Sequence, residues 1–278
     1  MRIRVRHDTV YRYERPAKAL IQLLRLTPQD HDGQHVLRWR IEPSADGALR
    51  PMRDAFGNVV HVFSADTTVE DLTIRVAGEV LTQENRGMVR GAEERLPDLL
   101  YLRDTDLTLA DEAIRDFARE VAGDVAGDPL GAAHRLLDAV HREMAFDPGP
   151  TDSSTPAATA FALRRGVGQD LAHVLVAAAR HLGLPARYVS GYICRADGVA
   201  EQAAGHAWAE VKVPETGWIG LDPVTGALIG ERCIRVAVGL DYLGAAPVRG
   251  SRGGGGVETM EVRLSVSEAR RATVTDGT

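Results

Sequence analysis

Apolar and charged residues alternate over the first eighty positions. Ile3 and Val5 are interleaved with Arg2, Arg4 and Arg6, LRWRI (37–41) repeats the pattern, and VVHVF (59–63) and LTIRVAGEVL (72–81) follow. A period of two is that of a strand with one buried face. RDAFGN (53–58) reads as a turn, with Gly57-Asn58 tolerating positive φ. Residues 1–85 are therefore predicted to form a β-sandwich-like module. Residues 83–98 are polar and without period, and a linker is predicted at 86–104.

The period then becomes helical. Ile114, Phe117, Ala118 and Val121 share one face. Asp128 caps a helix with Pro129 at its first position and a stripe of Ala133, Leu136, Leu137, Val140 and Met144. Thr155-Pro156 starts a short helix that Gly166 ends, and a helix from residue 168 carries Leu171, Val174, Leu175, Ala178 and Leu182 until Gly183 and Pro185 stop it. Strands are predicted at 186–194, 205–213, 217–223, 233–239 and 257–266, with Gly253 to Gly256 as a loop. The expected fold class is α+β: the N-terminal module, a core domain over 105–267 in which a helix packs on an antiparallel sheet, and a flexible tail at 268–278.

The helix starting at residue 168 is where chemistry would be housed. Free backbone N–H groups and the helix dipole stabilise a thiolate at such a terminus. Downstream, GHAWAEVKV and TGWIGLDPVTG offer His206 and Asp222. Ala207, Ala209 and Val211 form the apolar face of the first strand, Ile219 and Leu221 that of the second. If both faces share one side of the sheet, 208 lies opposite 222 and a three-residue loop, Pro214-Glu215-Thr216, closes the hairpin. His206 and Asp222 then become diagonal neighbours, close enough for a carboxylate to orient an imidazole. Residue 168 itself is glycine.

Composition narrows the classes. A net charge of −6 over 278 residues argues against nucleic-acid binding, and Arg2, Arg4 and Arg6 read as a solvated strand face. No apolar run reaches membrane-spanning length, and the N-terminus does not read as a signal peptide. Two cysteines, Cys194 and Cys233, make neither a disulfide framework nor a CxxC metal site, so a cytoplasmic address is expected. The pairs His134/His141 and His31/His35 lack supporting ligands; no metal and no cofactor are expected.

GVGQDLAHVLVAAARHLGLPARYVSGY, GHAWAEVKVPETGWIGLDPVTG and IRVAVGLDYLGAAPVRG resemble the bacterial transglutaminase-like proteins. HDTVYRYERP, LRLTP and DAFGNVVHVF resemble their N-terminal β module, so the likeness spans nearly the whole chain. It implies a papain-like core in which Cys, His and Asp carry out acyl transfer or hydrolysis of amides. Matched position by position, His206 is the base and Asp222 its orienting acid. The nucleophile position, in a pattern usually written GVCQD, is Gly168. Other departures are Cys233-Ile234-Arg235 in place of His-Ile-Arg, and Leu240 in place of an arginine before Asp-Tyr.

Without a side chain at 168 no acyl-enzyme forms there. The expectation is a catalytically inactive homologue whose helix terminus and imidazole favour a carboxylate or other anion. Gln169, Asp170, Trp208 and Tyr192 are the candidate substrate contacts, and Cys233 is tested as a displaced nucleophile. A noncovalent acid–base enzyme using His206 and Asp222, or a cysteine enzyme whose nucleophile has been mutated, are the alternatives. The resemblance implies a peptide or protein amide as substrate or ligand. Because relatives are often encoded near ATP-grasp-type ligases, it also implies a partner in a peptide-modification system.

Overall fold

The computed structural model describes residues 1–269, so most of the tail predicted at 268–278 lies outside the described residues. Strands outnumber helices. Five strands open the chain: β1 (Arg2–Thr27), β2 (Gln34–Pro43), β3 (Gly47–Arg53), β4 (Val59–Ala65) and β5 (Val69–Thr82). β1 serves two sets of neighbours. Residues 2–12 pair with β5, and residues 21–27 pair with β4. Between them the register breaks and Ala19 adopts φ 48°, so the sheet curls. Ile3 and Val5 are buried, as the alternation predicted, and so are Leu72, Ile74 and Val76 on β5. Trp39 lies across Gly78, where a Cβ would come within 2.1 Å of the indole, so that pair requires glycine. β3 escaped the pattern reading because GALRPMR is mostly exposed, contains Pro51 and does not alternate.

The chain continues through β6 (Met88–Val89), α1 (Glu112–Ala122), α2 (Pro129–Glu143), β7 (Ala145–Phe146), α3 (Ala157–Leu163), β8 (Arg165–Gly166) and α4 (Gly168–His181). β9 (Ala186–Ile193), β10 (Glu201–Gln202), β11 (His206–Val213), β12 (Gly217–Asp222), β13 (Ala227–Leu228) and β14 (Cys233–Gly239) come next. A one-turn helix, α5 (Tyr242–Ala245), leads to β15 (Val248–Gly254) and β16 (Glu258–Glu268). β15 and β16 pair with β1, so residues 248–268, read from the sequence as part of the core, lie in the N-terminal sheet. The segment expected to be a linker is also packed: Val89 pairs with Trp218, Tyr101 is buried and Glu94 binds Arg187. These are isolated anchors, which leave no period to read.

The second sheet has the order β13-β12-β11-β9-β14. α4 packs on it and is buried on nearly every side, from Asp170 to Arg180. Its C-terminus follows the predicted stop: Gly183 (φ 78°) donates to Arg180 O and Leu184 to Ala179 O, a Schellman pair. α3 differs from expectation. Pro156 caps it, Arg164 ends it in the left-handed region (φ 53°), and Gly166 belongs to β8, paired with Phe146. β14 is the outer strand, and its edge is not left open. The Gln34 amide exchanges two hydrogen bonds with Arg235 N and O, and the Asn58 amide two with Val238 N and O. Loops of the N-terminal sheet thus cover an edge that would otherwise recruit another strand.

Candidate active site

The first residue of α4 is Gly168, preceded by Val167 in an extended conformation. Its φ is not positive, so the backbone does not demand glycine. A Cβ built there meets Val224 Cγ2 at 3.4 Å, Ala207 O at 3.7 Å and Ala207 N at 3.8 Å, all ordinary contacts. Position 168 is therefore bracketed by the residue after His206 and by the turn after Asp222. Three distant segments converge on one point.

The hairpin that supplies the dyad has the predicted register. Ala209 pairs with Leu221 and Val213 with Gly217, leaving Pro214-Glu215-Thr216 as the loop, with Glu215 at φ 64° and Gly217 at φ 93°. His206 Nε2 lies 2.7 Å from Asp222 Oδ2. Asp222 is buried, and its Oδ1 accepts from the backbone N–H of Val224 and Thr225. A carboxylate in that position only accepts, so the His206 proton resides on Nε2 and Nδ1 presents its lone pair. Nδ1 has no hydrogen-bond partner among the described residues, and 11% of the side chain is exposed. The ring is anchored at one nitrogen and available at the other, which is the arrangement of a general base.

The other candidates separate. Gln169 lies half-buried at the helix mouth, its Nε2 3.4 Å from Asp152 O. Asp170 is completely buried, and its Oδ1 has no hydrogen-bond partner among the described residues. Its Oδ2 accepts from Val167 N–H and the Thr151 hydroxyl, fastening loop 147–156 to the start of α4. Burial raises its pKa, and those two donors oppose the shift. Trp208 was expected to wall the cleft; it is 0% exposed and packs across Gly191 with Val189 and Val238. Tyr192 was expected to touch substrate; it is buried against Trp39, its hydroxyl 2.9 Å from His7 Nδ1. A strand position shows which face a side chain takes but not what covers that face. As a displaced nucleophile Cys233 is disfavoured, since burial, with the Asp222 charge, pushes its thiol up to about 12. Cys194 is buried and also raised.

Sequence reasoning missed three participants. Thr151 sits in an aperiodic loop, and Val224 follows an Asp-Pro turn, so neither gave a signal. The third is a buried ion cluster behind the dyad, in which Glu210 is gripped by Arg187 and Arg235. Burial opposes ionisation of Glu210, but the two guanidiniums outweigh it and hold the carboxyl at about 2. The alternation of His206, Trp208 and Glu210 placed Glu210 on the dyad's face, and that was its only trace.

Comparison with known proteins agrees with this organisation. Residues 115–223 match the model of the transglutaminase-like superfamily, and residues 3–81 that of the bacterial transglutaminase-like N-terminal region. An uncharacterised protein of Mycobacterium leprae is 31% identical over 280 residues, covering 96% of this chain and 98% of the relative. One from Mycobacterium tuberculosis is 30% identical over 277 residues, covering 90% and 87%. A provisionally named cysteine protease from Cytophaga hutchinsonii shares the fold, with a TM-score of 0.76, at 18% identity over 100% of this chain and 92% of that one. The chain belongs to the transglutaminase-like superfamily, with the bacterial transglutaminase-like N-terminal region preceding its core.

Proposed function

We propose that this protein has lost thiol chemistry and uses its cleft to bind a peptide or other acidic ligand, or a protein partner. The observation that carries the reading is Gly168, a position with room for a side chain and none present, at the convergence of α4 with the His206 and Asp222 segments. Burial raises the pKa of both cysteines, which disfavours a thiolate at either and supports this reading. What the site retains is a helix N-terminus, suited to an anion, and an imidazole whose Nδ1 accepts from a donor on the ligand. We infer the same α+β layout as in the sequence reading: a sandwich-like N-terminal module and a papain-like core. The proposed setting is cytoplasmic, alongside a peptide-modification system. No helix among the described residues is long and apolar enough to cross a membrane.

One observation favours a second reading. His206 Nε2 is held by a buried carboxylate while Nδ1 is unengaged, as a noncovalent acid–base enzyme would require. Turnover of a broad set of amides and glutamine-containing peptides separates the two. The binding reading expects no turnover by the protein as it stands, with peptide binding retained. Turnover that disappears in His206→Ala would overturn it in favour of acid–base catalysis.

A further inference from the structure

A cavity of about 520 Å³ lies where loops of the N-terminal sheet meet the core, apart from the dyad. Its walls include His31, Phe56, Asn58, Val59 and Arg235, with Arg53 at the side. That volume falls in the range of small-molecule sites. Beside it the Gln34 and Asn58 amides clasp the β14 backbone on either side of its bulge.

Two residues lining this cavity carry donors without an acceptor among the described residues. The backbone N–H of Gly33 donates to His31 Nδ1 at 3.2 Å, which fixes the proton of the neutral ring on Nε2. Burial, reinforced by the Arg235 charge, pushes the His31 pKa down to about 4, so the ring is neutral at pH 7. Nε2 is itself buried and has no hydrogen-bond partner among the described residues. Arg235 gives Nε and Nη2 to Glu210, and its Nη1 makes no hydrogen bond among the described residues. Of the two, His31 Nε2 is a buried donor left unpaired, a penalty that an accepting occupant would recover, while the Arg235 side chain keeps slight exposure. Phe56, half-buried and 6.2 Å from the Tyr101 ring, supplies an apolar wall.

The acidic residues at the rim limit the charge of the occupant. Asp30 is engaged by His35 and by Val36 N–H, and Glu93 by Arg53 and Arg95. Both still disfavour a second negative charge nearby. We propose that the cavity binds a small monocarboxylate with an apolar body, its carboxylate accepting from His31 Nε2 and Arg235 Nη1 and its body lying against Phe56. The inference does not depend on what happens at position 168.

Calorimetry on the full chain with benzoate, 3-phenylpropionate and hexanoate tests it, with 3-phenylpropionamide and succinate as controls. At least one monocarboxylate should bind, and the amide and the dianion should bind at least several-fold more weakly. His31→Phe, which keeps the ring bulk and removes the donor, should weaken binding roughly tenfold. An N-acetylated dipeptide ending in Phe distinguishes sources: failure to compete assigns a free acid, and tighter binding assigns a peptide terminus. A nitrogen-15 spectrum of the unmutated protein gives an arm independent of the variant's folding. The His31 Nε2 resonance should move with acid and not with amide. The proposal is overturned if none of the three acids binds, if amide binds as well as acid, or if the His31 resonance does not respond.

Discussion

Gly168→Cys asks whether the convergence at the start of α4 forms a working thiolate site. Sterically the change is mild, since the nearest atom to the new Cβ is a valine methyl at 3.4 Å and the backbone conformation suits any residue. Losing a glycine's freedom in the unfolded chain should stabilise the protein by about 0.4–1 kcal/mol, a rise of a few degrees in Tm. The electrostatic effect is larger. A thiol with an ordinary pKa of about 8.5 is only a few per cent ionised at pH 7, whereas one at a helix N-terminus beside an imidazole falls to about 7.5 or lower. Thiolate at pH 6.5–7 should therefore rise by roughly tenfold or more. The assay is the pH-dependence of iodoacetamide alkylation, with the labelled residue located by mass spectrometry. Cys194 and Cys233 serve as unreactive internal references, because burial raises both thiols. A second variant, Gly168→Cys with His206→Ala, should move the inflection back upward. An inflection at or above the ordinary cysteine value, or one indifferent to His206, would show that the helix terminus and the imidazole do not act on position 168.

Further outcomes follow from the same contacts. Asp222→Ala removes the acceptor of His206 and of two backbone N–H groups in a buried site, and should cost about 3 kcal/mol in urea unfolding. Glu210→Gln leaves Arg187 and Arg235 without their shared carboxylate and should cost about 3–5 kcal/mol, read as a lower denaturant midpoint at unchanged slope. Gly78→Val drives a side chain into the Trp39 ring and should lower stability by about 1–3 kcal/mol, read from Tm. Acid should loosen the fold through His7, whose burial lowers its pKa from 6.5 to about 4. Between those values the unfolded chain binds a proton that the native chain does not. Stability therefore rises with pH across this window, and falls by roughly 3 kcal/mol for this group as pH drops from 6.5 to 4. His173, lowered by burial in the same direction, adds to the loss. Denaturation midpoints from pH 7 to 4 check the slope, and His7→Gln should flatten it.

Much of the architecture was legible because it depends on period and punctuation. The register of β11 against β12 followed from two apolar faces and an odd loop, and Gly217 took the positive φ that the loop required. The stop of α4 at Gly183 followed from glycine and proline. What was not legible was partnership across long separations. The sequence of β16 alternates like any half-buried strand, and only the structure places it against β1, Val5 opposite Val266. The short anchors between residues 86 and 104 work singly, so their packing had no periodic signal. At the site, alternation put Trp208 on the dyad's face correctly, yet could not show that other chain segments cover the indole.

The pairing of Asp222 with His206 carries less weight than it first suggests. Its Oδ1 caps the turn 222–226, where Gly226 N–H returns to Asp222 O, and only Oδ2 serves the imidazole. Asp222 would therefore be retained for folding whether or not His206 had any role. The His206 side chain has one structural duty, its single hydrogen bond among the described residues, which satisfies Asp222 Oδ2. Its neighbour in the row, Trp208, fills core volume, and Glu210 neutralises two buried guanidiniums. His206 has one nitrogen free and part of its ring in reach of solvent, whereas the unpartnered Nε1 of Trp208 on the same face is buried. If the cleft had become an inert packing surface, an apolar residue would fill this position at lower desolvation cost. His206 is accordingly the residue whose substitution separates a ligand site from a relic. His206→Leu also strips the buried Asp222 Oδ2 of its partner, so it should cost about 1–3 kcal/mol in unfolding as well as abolish peptide binding, and binding retained in the folded variant would assign the histidine to the fold.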